Sequence, residues 1–120
     1  MTLSTHVLDA TTGRPAAGLQ VRLERAGEDG WTPAGEGTTG PDGRLRLPLP
    51  VDSGGFAGPA GSAAPGVYRI TFGSGAYFTA RGSATFYPEV SVTFEMTDRD
   101  EHYHVPLLLS PFAYSTYRGS

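Results

Sequence analysis

Residues 101–120 have the sequence Glu-His-Tyr-His-Val-Pro-Leu-Leu-Leu-Ser-Pro-Phe-Ala-Tyr-Ser-Thr-Tyr-Arg-Gly-Ser. His102 and His104 are one residue apart, and an apolar run with one proline separates them from a tyrosine-rich ending. The ends of small domains are usually frayed, but this segment has the apolar and aromatic content of paired strands. We therefore predict two adjacent strands, at about 102–109 and 112–118, and expect the rest of the chain to hold them in place.

The composition favours an all-β protein. The chain has 120 residues, of which 17 are glycine and 10 are proline. That length is typical of one domain, predicted here over residues 1–120. Turn residues recur between short apolar runs, and strong helix formers are scarce, so many short strands are expected rather than helices.

Alternating apolar residues predict further strands. Residues 2–9 place Leu3, Thr5 and Val7 on one face and Ser4, His6 and Leu8 on the other. Similar patterns predict strands at 19–26, 31–38, 44–47, 67–72 and from Val90 to Met96. Residues 74–82 are the one credible helix, with Gly82 as its stop. The segment 48–66, rich in glycine and proline, is interpreted as a mobile insert.

Several classes of protein are disfavoured. The absence of cysteine excludes disulfides, cysteine zinc sites and a thiol nucleophile. No phosphate-binding glycine loop and no Gly-x-Ser-x-Gly motif are present. The net charge of −3 with scattered arginines indicates no nucleic-acid partner. The N-terminus does not resemble a secretory signal, and no apolar run approaches the roughly 18 residues needed to cross a bilayer, so we expect a cytoplasmic protein without a membrane partner.

The histidines are the most informative polar residues. His102 and His104 lie on one face of the predicted strand, about 7 Å apart at Cα. They are consistent with exposed strand residues, with a metal pair or with acid–base catalysis, and the residues alone leave these three readings open. His6 and Arg44 taken singly are most simply surface strand residues, although an arginine facing a site can bind an oxygen anion.

Four segments together resemble the transthyretin-like family, and in particular its enzyme branch, the 5-hydroxyisourate hydrolases. They are His6–Asp9 with Gly13–Pro15, the turn Thr39–Arg44, the run Phe86–Glu95 with His102–Pro111, and the ending Tyr114–Ser120. The hormone-carrying branch has lysine in place of His6 and lacks both the Tyr-Arg-Gly-Ser ending and an equivalent of His104. The resemblance therefore favours the hydrolases, with a non-catalytic small-molecule carrier as the alternative.

The resemblance implies an all-β fold, an eight-stranded antiparallel β-sandwich with one short helix, assembled as a homotetramer that is a dimer of dimers. It implies metal-free hydrolysis of 5-hydroxyisourate to 2-oxo-4-hydroxy-4-carboxy-5-ureidoimidazoline in urate catabolism, with no cofactor. It also assigns catalytic roles to His6, Arg44 and His104 and substrate contacts to Tyr117 and Ser120. It leaves open which histidine is the general base. His102 belongs to the motif without a catalytic role, and the stretch 52–66 is longer than the resemblance leads us to expect.

Overall fold

Nine strands and one helix make up the described part of the chain, residues 1–47 and 65–120 of a computed structural model. In chain order they are β1 (Thr2–Asp9), β2 (Arg14–Pro15), β3 (Gln20–Gly27), β4 (Gly30–Thr38), β5 (Arg44–Leu47), β6 (Gly66–Phe72), α1 (Ser74–Ala80), β7 (Val90–Met96), β8 (His102–Leu109) and β9 (Tyr114–Thr116). The bounds of β1, β5 and β8 agree with those predicted from the sequence. The last strand is shorter than predicted and ends at Thr116.

The strands form two sheets. The first sheet has the order β2-β1-β8-β9, and β5 also pairs with β1. The second sheet has the order β4-β3-β6-β7. The predicted all-β sandwich with one short helix is therefore confirmed.

Two details differ from the expected eight-stranded antiparallel arrangement. The two-residue strand β2 brings the number of strands in the described residues to nine. In addition, β1 and β8 are parallel, from the pair Thr2–His102 to the pair Asp9–Leu109. A tight turn forces neighbouring strands to be antiparallel, but β1 and β8 lie at opposite ends of the chain, so no turn sets their relative direction.

The core lies between the two sheets and follows the predicted alternation. In β1, Leu3, Thr5 and Val7 are buried, while the intervening side chains are exposed or half-buried. In β8, the alternate residues Tyr103, Val105, Leu107 and Leu109 are buried, and Pro106 between them is buried as well. Side chains on one face of a strand point the same way. The two histidines of β8 therefore point away from the core, to the same side of the first sheet as His6.

The helix occupies Ser74–Ala80 and confirms the prediction at 74–82, although it ends two residues earlier. Gly82 has a φ of 72°, a conformation that favours glycine. The Ser83 N–H donates to the Phe78 carbonyl and the Gly82 N–H to the Thr79 carbonyl, each at 3.0 Å. This pair of bonds is a Schellman motif and explains why the helix stops there. No helix within residues 1–47 and 65–120 is both long enough and apolar enough to cross a membrane.

The predicted insert at 48–66, including the long stretch 52–66, lies outside the described residues except for its last two positions. Of these, Gly66 is the first residue of β6.

Candidate active site

Three predicted catalytic side chains lie on the solvent-facing side of the first sheet, here called the site face. His6 in β1 is directly opposite Arg44 in β5. On the other side of β1, Ser4 is directly opposite His104 in β8. Opposite residues on antiparallel strands have Cβ atoms about 4.5–5.5 Å apart, which places His6 close to Arg44. The parallel register of β1 and β8 adds His104 on the same face, two residues along from His6.

Arg44 is placed by the turn that precedes β5. Gly43 has a φ of 75°, and a Cβ atom there would lie 2.5 Å from the Val7 carbonyl oxygen. Glycine is therefore needed both for the backbone conformation and for the close approach to β1. The Val7 N–H donates to the Gly43 carbonyl at 2.9 Å, and the Arg44 N–H donates to Asp42 Oδ1 at 3.0 Å. This turn sets the register in which Arg44 faces His6.

The guanidinium of Arg44 is exposed and free to meet a ligand. Its side chain is 61% exposed, and its Nε atom lies 4.0 Å from Asp42 Oδ2. An exposed pair at this distance holds the arginine only weakly. The fork of guanidinium donors therefore remains available for an oxygen anion above His6.

His104 is half-buried, and its environment favours the neutral ring. Burial lowers the pKa of His104 below the ordinary value of 6.5, and the charges of His102, Arg44 and His6 lower it further, against a hydrogen bond to Ser4 that raises it. A neutral imidazole near pH 7 can accept a proton from water. His104 thus has the electrostatic setting of a general base, beside a cation that can stabilise negative charge.

The tail runs back along β8 and covers one side of His104. The ladder between β8 and β9 extends from Leu109–Tyr114 to Leu107–Thr116. After an interruption at Pro106, which has no N–H, a single bridge pairs His104 with Gly119. The Gly119 N–H donates to the His104 carbonyl at 2.9 Å. The end of the chain is therefore held against the proposed base.

The two predicted substrate-binding residues lie in this tail, and both are exposed. Tyr117 and His104 line one side of a depression between β7, β8 and the tail. Tyr117 also lines a second, more open depression together with Ser120 and His102. Tyr117 thus shares one depression with His104 and another with His102, and Ser120 shares the second with His102.

Sequence reasoning missed two hydroxyl side chains of β1. The Ser4 hydroxyl lies 2.9 Å from His102 Nε2 and 2.8 Å from His104 Nδ1. The Thr2 hydroxyl is hydrogen-bonded to His102 Nδ1. The only signal in the sequence was the alternation that places Thr2, Ser4 and His6 on one face of β1, and serine or threonine on an outer strand face is too common to be singled out.

No group of three or more His, Cys, Asp or Glu side chains that could hold a metal ion occurs within the described ranges. What the site face offers is a neutral imidazole, a second histidine and an exposed guanidinium. Such a set can activate water, donate a proton and stabilise an oxyanion, and these are the requirements for hydrolysis of an amide or another acyl group.

Comparisons with known proteins identify the family of the chain. A family model described as the HIUase/Transthyretin family matches residues 3–119. The 5-hydroxyisourate hydrolase of Salmonella typhimurium is 47% identical over 118 residues, which cover 98% of this chain and 80% of that protein. The structure of Klebsiella pneumoniae 5-hydroxyisourate hydrolase is 34% identical with a TM-score of 0.77 and covers 100% of both chains. Sea bream transthyretin in complex with thyroxine is 33% identical with a TM-score of 0.81, over 98% of this chain and 93% of that one. The chain belongs to the HIUase/Transthyretin family.

Proposed function

We propose that this protein is a 5-hydroxyisourate hydrolase of urate catabolism, which opens the six-membered ring of its substrate to give 2-oxo-4-hydroxy-4-carboxy-5-ureidoimidazoline. One observation carries the proposal: His6, Arg44 and His104 share the site face in a chain whose relatives at 47% identity have that name. The cross-strand register supports this joint role because it joins residues that lie far apart in the sequence.

In the proposed reaction, water attacks a ring carbonyl and the adjacent C–N bond breaks. His104 is the general base that takes a proton from water, a role supported by the lowered pKa of its ring. Such catalysis typically contributes about 10²–10⁴-fold to a rate. His6 protonates the nitrogen that leaves the carbonyl carbon, so that the second histidine completes the proton transfer.

The proposed role of Arg44 is to stabilise the negative charge that develops on the carbonyl oxygen. Its side chain is exposed on the site face, directly across from His6. One donor in such a position is worth about 3–4 kcal/mol of transition-state stabilisation. Tyr117 and Ser120 are assigned contacts with the substrate ring, which their places beside the histidines of β8 support.

The proposed assembly is a homotetramer formed as a dimer of dimers. Strands β7 and β9 are at the edges of their sheets, and large exposed apolar side chains, among them Phe86, Leu108 and Phe112, are available for contacts. Unpaired strand edges and apolar surface of this kind are typical of subunit interfaces. Light scattering during size-exclusion chromatography tests this proposal, with an expected mass of four times the 12.6 kDa chain.

A non-catalytic carrier is the second candidate, because sea bream transthyretin with thyroxine has the TM-score of 0.81 quoted above, against 0.77 for the Klebsiella hydrolase. A fold shared by both branches cannot distinguish them. His6, Arg44 and His104 favour the hydrolase, since binding alone needs neither a base nor an acid.

A kinetic assay separates the two candidates. Urate oxidase generates 5-hydroxyisourate from urate in the cuvette, and the ultraviolet absorbance of the product is followed with and without this protein. Faster decay that is proportional to the protein concentration is expected. An unchanged decay rate together with measurable ligand binding would favour the non-catalytic carrier over the hydrolase.

A further inference from the structure

Four side chains of β1 and β8 form a continuous hydrogen-bonded row behind the proposed base. We call it the hydroxyl–imidazole row; in spatial order it contains Thr2, His102, Ser4 and His104. Ser4 is its central member, 2.9 Å from His102 Nε2 and 2.8 Å from His104 Nδ1. Among the described residues, each imidazole nitrogen of the row has a partner except His104 Nε2, which none of these bonds uses.

Two directions of hydrogen bonding use the Ser4 hydroxyl hydrogen within this row; a third arrangement, in which both imidazoles donate to Ser4, leaves that hydrogen without an acceptor in the row. A serine hydroxyl has one hydrogen, and a neutral imidazole has one donating and one accepting nitrogen. In the first direction, His104 Nδ1–H donates to Ser4, Ser4 donates to His102 Nε2, and His102 Nδ1–H donates to Thr2. His104 Nε2 is then left without a hydrogen. In the second direction every bond is reversed, and His104 Nε2 carries the hydrogen.

Only the first direction leaves His104 able to take a proton from water at Nε2. In the second direction the same atom is a donor and cannot act as a base. The direction of the row therefore decides which chemical role His104 can have. A base whose tautomer is fixed by a third group is a recurring arrangement in hydrolytic enzymes.

His102 controls this direction because it is exposed and titratable. A protonated imidazole has two donating nitrogens and no acceptor. Protonation of His102 therefore removes the acceptor for the Ser4 hydroxyl, which then turns and donates to His104 Nδ1.

We propose that Ser4 and His102 are positioning residues that hold His104 with a bare Nε2, and that protonation of His102 reverses the hydroxyl–imidazole row and withdraws the base. This inference rests on the proposed function, in which His104 is the general base. It gives Ser4 and His102 roles that act only through His104.

The charges around the row favour the neutral form of His104. His6 and Arg44 face it across the sheet, and Arg46 is directly opposite Ser4. In the tail, the Arg118 guanidinium lies 2.9 Å from the carboxylate of Glu101, the residue that precedes His102. The cations on the site face disfavour a positive charge at the half-buried His104, whereas water can solvate one on the exposed His102.

The test compares pH profiles of kcat/KM for the wild type and His102→Gln. The glutamine carbonyl can accept the Ser4 hydrogen bond, but the side chain cannot be protonated. On the acid side of the wild-type profile, log(kcat/KM) should rise with pH with a slope that approaches two, because both His102 and His104 must be neutral. His102→Gln should keep the activity at pH 8 within about threefold and reduce that slope by one.

Substitutions of Ser4 provide a second, independent test. Ser4→Ala breaks the row, and kcat is expected to fall about 10- to 100-fold, by analogy with the range found when groups that orient a metal-binding histidine are removed. Ser4→Thr keeps a hydroxyl and should restore both the rate and the steep acid limb. Ser91→Ala is the matched control, since Ser91 is an exposed strand serine hydrogen-bonded to Thr71 in the other sheet.

A direct readout is the ¹⁵N NMR shift of the His104 ring nitrogens. At pH 8 the wild type should have the hydrogen on Nδ1, and Ser4→Ala should have a mixture of tautomers. Equal slopes in the wild type and His102→Gln, or no rescue by Ser4→Thr, would overturn the inference while leaving the proposed function intact. A wild type without hydrolytic activity, or an active His104→Ala variant, would overturn the proposed function itself.

Discussion

Gly119 and His104 are in such close contact that a Cβ atom added to Gly119 would lie 2.4 Å from Cδ2 of the His104 ring. It would also lie 3.1 Å from the Cγ atom of that ring and 3.2 Å from Cγ of Pro106. The Gly119 N–H meanwhile donates to the His104 carbonyl at 2.9 Å. The tail therefore fixes the position of the imidazole ring by direct packing.

Gly119→Ala should displace the His104 ring and lower kcat/KM by about 100-fold, the effect expected when a catalytic group moves by about 1 Å. The melting temperature should change little, because Gly119 lies outside the core and its neighbours Arg118 and Ser120 are exposed. Kinetic assays together with thermal unfolding check this expectation. Gly27→Ala is the matched control, since its nearest neighbour is the Gly30 carbonyl at an ordinary 3.5 Å, and it should leave the activity unchanged.

His6→Ala, Arg44→Ala and His104→Ala should each lower kcat by at least about 100-fold while the protein stays folded. Arg44→Lys should recover only part of the loss, because lysine keeps the charge but lacks the planar fork of donors. Steady-state kinetics and circular dichroism measure the two effects. A fully active His104→Ala protein would contradict the proposed mechanism.

The control for Arg44 is Arg22→Ala. Arg22 is also an exposed strand arginine beside a carboxylate, with its guanidinium 3.7 Å from Glu89, but it belongs to the second sheet. Exposed pairs of this kind contribute little to stability. Both the activity and the stability of Arg22→Ala should therefore match the wild type.

The lowered pKa of His104 predicts a pH dependence of stability. The folded ring loses its proton at a lower pH than the unfolded ring, whose pKa is near 6.5, so the unfolded state binds more protons between the two values. The free energy of unfolding should therefore be highest above pH 6.5 and decrease as the pH falls from 6.5 towards the folded pKa. Urea unfolding at several pH values measures this trend, which His104→Gln should weaken; an unchanged trend would contradict it.

Deletion of residues 118–120 should abolish most activity with only a small decrease in stability. The deletion removes the bridge from Gly119 to His104 and the ion pair between Arg118 and Glu101, whose side chains are 64% and 49% exposed. Exposed pairs contribute at most about 1 kcal/mol. A tag fused directly after Ser120 should have a similar but milder effect on kcat/KM.

Two matched carboxylate substitutions separate the anchoring of the tail from a general effect of charge. Glu101→Gln weakens the hold on Arg118 and should raise KM. Glu89→Gln removes the corresponding pair with Arg22 on the other sheet and should leave KM unchanged. Equal KM values for the two variants would mean that the ion pair does not order the tail.

Tyr77→Phe should destabilise the fold by about 1–3 kcal/mol without changing kcat, because it leaves a buried carboxylate oxygen without a partner. The Tyr77 hydroxyl donates to Asp9 Oδ2 at 3.0 Å, and Asp9 is only 2% exposed. Burial, and then the hydrogen bond and the charge of Asp9, raise the pKa of Tyr77. Chemical denaturation measures the loss, with Tyr114→Phe as the control at an exposed tyrosine; equal stability of the two variants would contradict the prediction.

Local patterns were sufficient to predict most elements of the fold. Alternation in β1 predicted both its bounds and its buried face, because one side of the strand meets the core. The apolar run of β8 predicted a strand at 102–109, in which the buried Pro106 interrupts the alternation. Gly82 marked the end of the helix, since its conformation favours glycine. These features depend on neighbours within a few residues, and the sequence contains that information.

The pairing of distant strands could not be predicted in the same way. Nothing near Ser4 indicates that it lies opposite His104, or that β1 and β8 are parallel. The predicted site residues came from resemblance to a family, and the residues alone left His6 and Arg44 as surface side chains. The hydroxyl–imidazole row escaped prediction for the same reason, because its members are nearly 100 residues apart.

The parallel pairing of β1 with β8 has a consequence for synthesis on the ribosome. Chains grow at about 5–20 residues per second, so β1 waits several seconds before His102–Leu109 has been made. During that time one edge of β1 has unpaired backbone groups, which is an opportunity for aggregation. The proposed base also arrives with that last long strand, so an unfinished chain is both vulnerable and inactive.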